Sequence, residues 1–265
     1  MRTVNAYGKS SISGEAMELP LYPGIHVDGY GILSFPLGKV TTETFIKATS
    51  EHTEKRINCE DENMHEIDAS CIQIKNPIWN EGLNKLLERI VDELGCYREI
   101  SAKLNKLSIF KPGSGLKRHK ETSTEKSNQM GYLIIQLPSD YEGGELIVHN
   151  NDMTSTIHDF GIKNSKAPYS IQFAVYLSEV EHEISEVKGG YRLALVYSLF
   201  WKTESEDEII NHRDRVSVLS SCLNSLSNEP KCRFAFLLEN NDYTDESLHE
   251  DGAKVLRGIY YAKIK

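Results

Sequence analysis

The segment Ile171-Gln-Phe-Ala-Val-Tyr-Leu177, followed after a polar turn by Tyr191-Arg-Leu-Ala-Leu-Val-Tyr197, decides the fold. Ile171, Phe173, Val175 and Leu177 alternate with other residues, as do Tyr191, Leu193, Leu195 and Tyr197. A period of two places each set on one face of a strand. Working outward, Ile100, Ala102 and Leu104 alternate in the same way. Gly131–Leu137 is a short apolar run stopped by Pro138, and Glu145–Val148 follows the Gly143-Gly144 pair. Short runs bounded by Gly, Pro, Asn or Ser predict antiparallel strands in a sandwich or barrel.

Helical periodicity flanks this region. From Asn80 to Leu94, Leu83, Leu86, Leu87, Ile90, Val91 and Leu94 form one apolar stripe, with Asn80 as N-cap and Gly95 as the stop. A short helix carrying Phe45, Ile46 and Ala48 is expected after a Thr42 cap. Glu51–Glu66 reads as an exposed polar loop. Beyond Trp201, the pattern predicts a helix over Ile209–Leu226, a strand over Cys232–Leu238 and a last helix over Glu246–Ala262. The expected class is α+β, a β core with flanking helices. The expected organisation is a loose leader over 1–22 and a single domain over 23–265. Within that domain, 23–99 is a lead-in, 100–201 the core and 202–265 an extension.

Composition narrows the function. The 265 residues carry 30 basic and 39 acidic side chains, a net charge of −9, with 39 % apolar residues. That balance fits a folded globular chain and argues against a dedicated nucleic-acid binder. No run is apolar enough to span a membrane, and the first twenty residues lack the apolar stretch of a secretory signal. Five cysteines without a C-x-x-C read as reduced thiols, an expectation of a cytoplasmic or nuclear protein.

Nine histidines are present, and five begin a His-x-Asp/Glu pattern: His26/Asp28, His52/Glu54, His119/Glu121, His212/Asp214 and His249/Asp251. On a strand, residues i and i+2 point the same way, so such a pair can hold one ion; two His and one carboxylate leave the opposite face of an iron open. His212 falls in a predicted helix, where i and i+2 diverge. His52 lies at a helix end, and no histidine follows His249. His26 with Asp28 is the strongest decoy, but it precedes the strand-rich region. His119 and Glu121 open that region, His182 follows the strand ending at Leu177, and Arg192 lies ten residues further on.

These residues sit in a longer pattern: Phe110-Lys-Pro-Gly-Ser-Gly-Leu-Lys-Arg-His119-Lys-Glu121-Thr122, Leu133–Ser139, Glu142-Gly-Gly-Glu-Leu146, Glu181-His182-Glu-Ile184 and Gly190-Tyr-Arg192-Leu-Ala-Leu195. In order and spacing the set resembles the 2-oxoglutarate- and Fe(II)-dependent dioxygenases, on their prolyl 4-hydroxylase-like side. The resemblance implies a double-stranded β-helix (jelly-roll) core with the metal site at its open end. It implies His119, Glu121 and His182 as iron ligands, and Arg192 as the partner of the distal carboxylate of 2-oxoglutarate. A guanidinium fork suits a carboxylate because it makes two parallel charge-assisted hydrogen bonds. The implied cosubstrates are 2-oxoglutarate and dioxygen, with ascorbate as a candidate auxiliary reductant. The implied reaction is hydroxylation of a protein or peptide side chain, with release of succinate and carbon dioxide.

Two positions depart from the family pattern. Glu121 stands where the family usually has Asp, adding one methylene of reach. Ala194 stands where members often have a hydroxyl sharing the cosubstrate carboxylate; Tyr132 and Gln136, on one strand face, are the candidate substitutes. These departures motivate an alternative, a catalytically degenerate oxygenase-fold module that binds or scaffolds. The basic residues Lys117, Arg118 and Lys120 read as a solvated face. Neither Gly29-Tyr-Gly31 nor Gly113-Ser-Gly115 has phosphate-loop spacing, and His182-Glu-x-x-Glu186 lacks the second histidine of a zinc protease.

Overall fold

The computed structural model describes residues 9–52, 56–57, 63–95, 99–120, 128–150, 154–202, 233–237 and 260–264. The chain divides into two compact units, Lys9–Lys202 and a second formed by Met1–Gly8 with Thr203–Lys265.

The first unit is mostly antiparallel sheet with few helices. In chain order its elements are β1 (Ser11–Glu15), β2 (Ile25–Val27), β3 (Gly31–Ile32), helix α1 (Lys39–His52), β4 (Arg56–Ile57), β5 (Met64–Asp68), β6 (Ile72–Ile74) and helix α2 (Trp79–Leu94). The long strand β7 (Ile100–Phe110) follows, then β8 (Leu116–His119), β9 (Gln129–Gln136), β10 (Tyr141–Gly143), β11 (Leu146–His149) and β12 (Ser155–His158). The unit ends with β13 (Gln172–Leu177), β14 (Glu181–Ile184), β15 (Val187–Gly190) and β16 (Arg192–Trp201).

Seven strands form a large sheet in the order β1-β13-β9-β16-β7-β5-β4, and four form a small one, β12-β11-β14-β8. Strands β10 and β15 pair separately, as do β3, β2 and β6. The alternation read from the sequence sorts the large sheet's side chains. Leu193, Leu195, Tyr197 and Leu199 turn to one face, where they share a core with Leu133, Ile135, Leu107, Ile109 and the α2 stripe Leu83, Leu86, Leu87 and Ile90. Ala194, Ile134, Tyr132, Ala174 and Tyr176 turn to the other face and share a second core with Leu146, Val148 and Ile184 of the small sheet. The small-sheet interior is where the histidines lie.

Helix α2 begins at Trp79, not after an Asn80 cap. Ile78 is the capping residue and contributes no side-chain bond, while the Asn76 side chain accepts from the Ile78 N–H at 3.1 Å. Gly95 ends the helix at φ 70°, in the left-handed region open to glycine. Leu86 is fully buried on this helix. Leu86→Ala is expected to cost about 3 kcal/mol, from lost transfer energy plus the cavity, measured by urea denaturation.

The other differences have local causes. In α1, Thr42 lies inside the helix, and its hydroxyl donates back to the Gly38 carbonyl at 2.9 Å instead of capping. Met64–Asp68, expected to fall partly in a polar loop, is a strand whose charges are satisfied: Glu66 is buried, bound by Lys106 at 2.7 Å and by the Ser108 hydroxyl at 3.1 Å. Ser11–Glu15, inside the stretch read as a loose leader, is an ordered strand paired with β13. It has few apolar residues because backbone pairing and polar contacts hold it. Ser13 and Ser11 flank the buried His158 ring of β12 at 2.7 and 2.9 Å.

In the second unit the described residues are β17 (Arg233–Leu237) and β18 (Tyr260–Ile264), an antiparallel pair. The strand expected over Cys232–Leu238 is thus present where described. The last helix, expected to run to Ala262, is overturned at its end, because Tyr260–Ala262 pair as strand with Ala235–Leu237. A Tyr-Tyr run favours an extended backbone over a helix. The helix expected over Ile209–Leu226 lies outside the described residues.

Candidate metal and carboxylate site

His119 ends β8 and His182 sits in β14, directly opposite each other in register. Sixty-three positions apart in sequence, their rings lie with centroids 4.4 Å apart. The His119 Nδ1–H donates to the Lys117 carbonyl at 2.9 Å, which fixes the tautomer and leaves the lone pair on Nε2. His182 is 1 % exposed. Burial, then the neighbouring His119, pushes its pKa down to about 4, with the Val180 carbonyl opposing. A neutral imidazole is the form that ligates a metal. Its Nδ1 closes no hydrogen bond of normal geometry among the described residues.

Arg192 opens β16 and is fully buried. Its guanidinium lies between two phenyl rings, 4.9 Å from the Phe110 centroid and 4.7 Å from that of Phe160. None of its three side-chain nitrogens closes a hydrogen bond of normal geometry among the described residues. Two aromatic faces stabilise a cation without supplying acceptors. Among the described residues the in-plane N–H donors are therefore left without a charged acceptor.

The polar group that acts most on Arg192 is the Tyr141 hydroxyl on β10. It is buried, likewise closes no hydrogen bond of normal geometry, and is pushed up to about 12 by burial while Arg192 pulls the other way. Burial also lowers the Arg192 pKa, and Tyr141 opposes that. Tyr141 was not among the residues read as candidates. The signal for it is weak, a tyrosine between the Pro138-Ser139-Asp140 turn and the Gly143-Gly144 pair. Of the two hydroxyl or amide substitutes expected for Ala194, Tyr132 stacks on Tyr176 at 5.5 Å. Gln136 donates to the Leu137 carbonyl at 3.0 Å and to Ser139 at 2.9 Å.

Tyr176, also missed by the sequence reading, links the two parts of the site. Its ring lies 4.3 Å from His182, and it faces Arg192 closely enough to influence the guanidinium. Gly144 makes the room. A Cβ there would sit 3.0 Å from Arg192 Cδ and 3.0 Å from Val187 Cγ2, and its φ is +70°. Gly144→Ala is expected to destabilise the protein by about 2 kcal/mol or more and to displace Arg192, read by chemical denaturation.

Glu121, the expected carboxylate ligand, lies outside the described residues, and among the described residues no group of three metal-ligating side chains occurs. The decoy resolves differently. His26 is in β2 with its Nδ1 4.0 Å from the Asp28 carboxylate, in a sheet containing only β3 and β6 besides. His212 and His249 are outside the described residues. Arg118 is bound to Glu181 across the β8–β14 pair, as expected of a solvated charged face.

No protein-family model matches the chain. No curated protein matches it either. Among solved structures, a prolyl-4-hydroxylase from Pseudomonas putida aligns at TM-score 0.43 and 14 % identity, covering 73 % of this chain and 94 % of that one. A 2OG-Fe(II) oxygenase family oxidoreductase from Burkholderia pseudomallei aligns at 0.39 and 17 %, covering 72 % and 85 %. A prolyl hydroxylase from Trichoplax adhaerens, solved with a hypoxia-inducible-factor peptide fragment, aligns at 0.38 and 14 %, covering 67 % and 84 %. These likenesses are distant.

The residues themselves fit a ferrous ion and a dicarboxylate. Two imidazoles face one another, and a buried guanidinium without a charged acceptor among the described residues lies in the same core. Among the described residues no helix is long and apolar enough to cross a membrane.

Proposed function

We propose that this chain is an Fe(II)- and 2-oxoglutarate-dependent dioxygenase built on a double-stranded β-helix, hydroxylating a side chain of a protein or peptide and releasing succinate and carbon dioxide. The observation that carries the reading is Arg192, a fully buried guanidinium with no charged acceptor and no hydrogen bond of normal geometry among the described residues, in the same interior as the His119–His182 pair. A buried cation without an anion costs several kcal/mol, so its persistence argues for a carboxylate that arrives with a ligand.

In this reading His119, Glu121 and His182 hold the metal, and Arg192 with the Tyr141 hydroxyl holds the distal carboxylate. Iron and 2-oxoglutarate, when bound, supply the activation of dioxygen. The chain's own contributions are orientation and shielding. The guanidinium would hold one carboxylate of the dicarboxylate through its N–H donors, leaving the other end free to reach the imidazoles. Phe110 and Phe160 pack on the guanidinium and Tyr176 on His182, apolar surfaces that would shield bound reactants from water. His119 keeps its proton on Nδ1 through the Lys117 carbonyl, so its ligating nitrogen needs no reorganisation.

The test is anaerobic calorimetry with Mn(II) in place of iron. 2-Oxoglutarate is expected to bind only with the metal present, and aerobic turnover with Fe(II) is expected to yield succinate. Metal-independent binding, or none, would overturn the assignment. Metal-dependent binding without any succinate would favour the degenerate binding module.

A further inference from the structure

The inner face of the large sheet carries a row of hydroxyls that extends from Tyr176 to residues the proposed chemistry leaves unused. Tyr176 on β13, Tyr132 on β9 and Ser198 on β16 are successive register partners, and Tyr176 packs on His182. The row runs sideways from the imidazole pair, one strand spacing of about 4.8 Å at a time.

Ser198 sits between two β-bulges. On one side the β16–β7 register shifts between Val196 and Tyr197, leaving Asn105 without a counterpart. On the other the β16–β9 register shifts between Leu199 and Phe200, leaving Met130 without one. Bulges disrupt the ladder and re-aim side chains. Here they bring two carboxamides onto one hydroxyl. The Asn105 Nδ2 donates to Ser198 Oγ at 2.7 Å, and the Gln129 Nε2 donates to it at 3.3 Å. With two donors on its oxygen, the Ser198 hydroxyl has its hydrogen left to give, and no acceptor for it occurs among the described residues. The carbonyl oxygens of both carboxamides likewise have no donor among them. Ser198 is buried, whereas Asn105 and Gln129 are half-buried, so the trio is open on one side.

We propose that Asn105, Ser198 and Gln129 seat a main-chain peptide bond of a polypeptide substrate, two strands along the sheet from the tyrosine that packs on His182. The inference rests on the reading of His119, His182 and Arg192 given above. A peptide group offers one acceptor and one donor; the Ser198 hydroxyl donates to its C=O, and a carboxamide oxygen accepts from its N–H. The three side chains carry no charge, so a charged group placed on them would lose water without gaining a counter-ion. Lys103, the register partner of Ser198 on β7, is exposed. The seat therefore selects an uncharged stretch of extended chain by its backbone, largely independent of side-chain sequence.

The experiment loads the full chain with Mn(II) and 2-oxoglutarate and applies it to an array of random-sequence dodecapeptides, and to the same array with every main-chain nitrogen methylated. The protein is expected to bind many unmethylated peptides and to bind their methylated copies at least tenfold more weakly. The Asn105→Leu/Ser198→Val double variant is expected to lose at least tenfold on the unmethylated array, while its 2-oxoglutarate affinity stays within twofold. Gln129→Leu, at a half-buried position, serves where the double variant does not fold. Equal signal on the two arrays, undiminished signal from the variants, or no peptide binding by a protein that still binds 2-oxoglutarate would each overturn the proposal. Failure to bind 2-oxoglutarate at all would instead strike the underlying site reading, and the inference with it.

Discussion

Arg192→Met is expected to raise the melting temperature of the ligand-free protein while abolishing 2-oxoglutarate binding. Most substitutions of fully buried residues destabilise, so the sign is diagnostic. The guanidinium is buried, its nitrogens close no hydrogen bond of normal geometry among the described residues, and its compensation comes from the faces of Phe110 and Phe160 and from the Tyr141 hydroxyl. An uncompensated buried ion costs about 3–5 kcal/mol, and two aromatic contacts return about 1–2 kcal/mol each. Methionine keeps an unbranched stem between the rings without the charge. The net gain expected is about 1–2 kcal/mol, or roughly 2–8 °C in a domain of this size. Differential scanning fluorimetry with and without Mn(II) and 2-oxoglutarate reads both halves. In the parent protein the pair raises the melting temperature; in the variant it does not. A variant that melts lower than the parent when ligand-free would mean that Arg192 is a structural residue.

Acidification of the ligand-free protein is expected to remove about 3 kcal/mol of stability between pH 6.5 and pH 4, through His182. Its pKa falls from the ordinary 6.5 to about 4 in the folded state, chiefly by burial and then by the His119 ring. Because the folded value lies below the unfolded one, the unfolded chain takes up the proton first. The neutral-ring contribution is complete above pH 6.5 and is lost as the pH falls toward about 4. Each unit of difference corresponds to about 1.4 kcal/mol. Urea denaturation of the parent and of His182→Gln across this range isolates the effect, since glutamine has no proton to gain. Parallel pH profiles for the two proteins would refute it. Bound metal, by holding the ring neutral, is expected to move the loss to lower pH.

Period-two runs such as Ile171–Leu177 and Tyr191–Tyr197 mark strands because burial of one face leaves a signature along the chain, and the α2 stripe does the same at helical spacing. The His119–His182 encounter was legible for a different reason. Motif order stood in for distance, and β8 and β14 then brought the two rings together by a register that no local pattern encodes. Tyr141 and Tyr176 were not legible, since a tyrosine in a strand carries the same signal whether it packs or binds. Ser11–Glu15 was missed because its stability comes from its partner strand and from the His158 ring, 145 and 147 positions away from Ser13 and Ser11. The bulges beside Ser198 were equally silent, since an extra residue is visible only against the strand it fails to match.

The strand β1 occupies the outer edge of β13, pairing Ser11–Glu15 with Gln172–Tyr176. An expression clone trimmed to begin at the first obvious motif, near Pro23, would delete that strand and strip the hydrogen-bonding rim from the seven-membered sheet. The uncovered rim would then recruit whatever extended segment came first, including its own copies, and material prepared that way would report on self-association before it reported on catalysis.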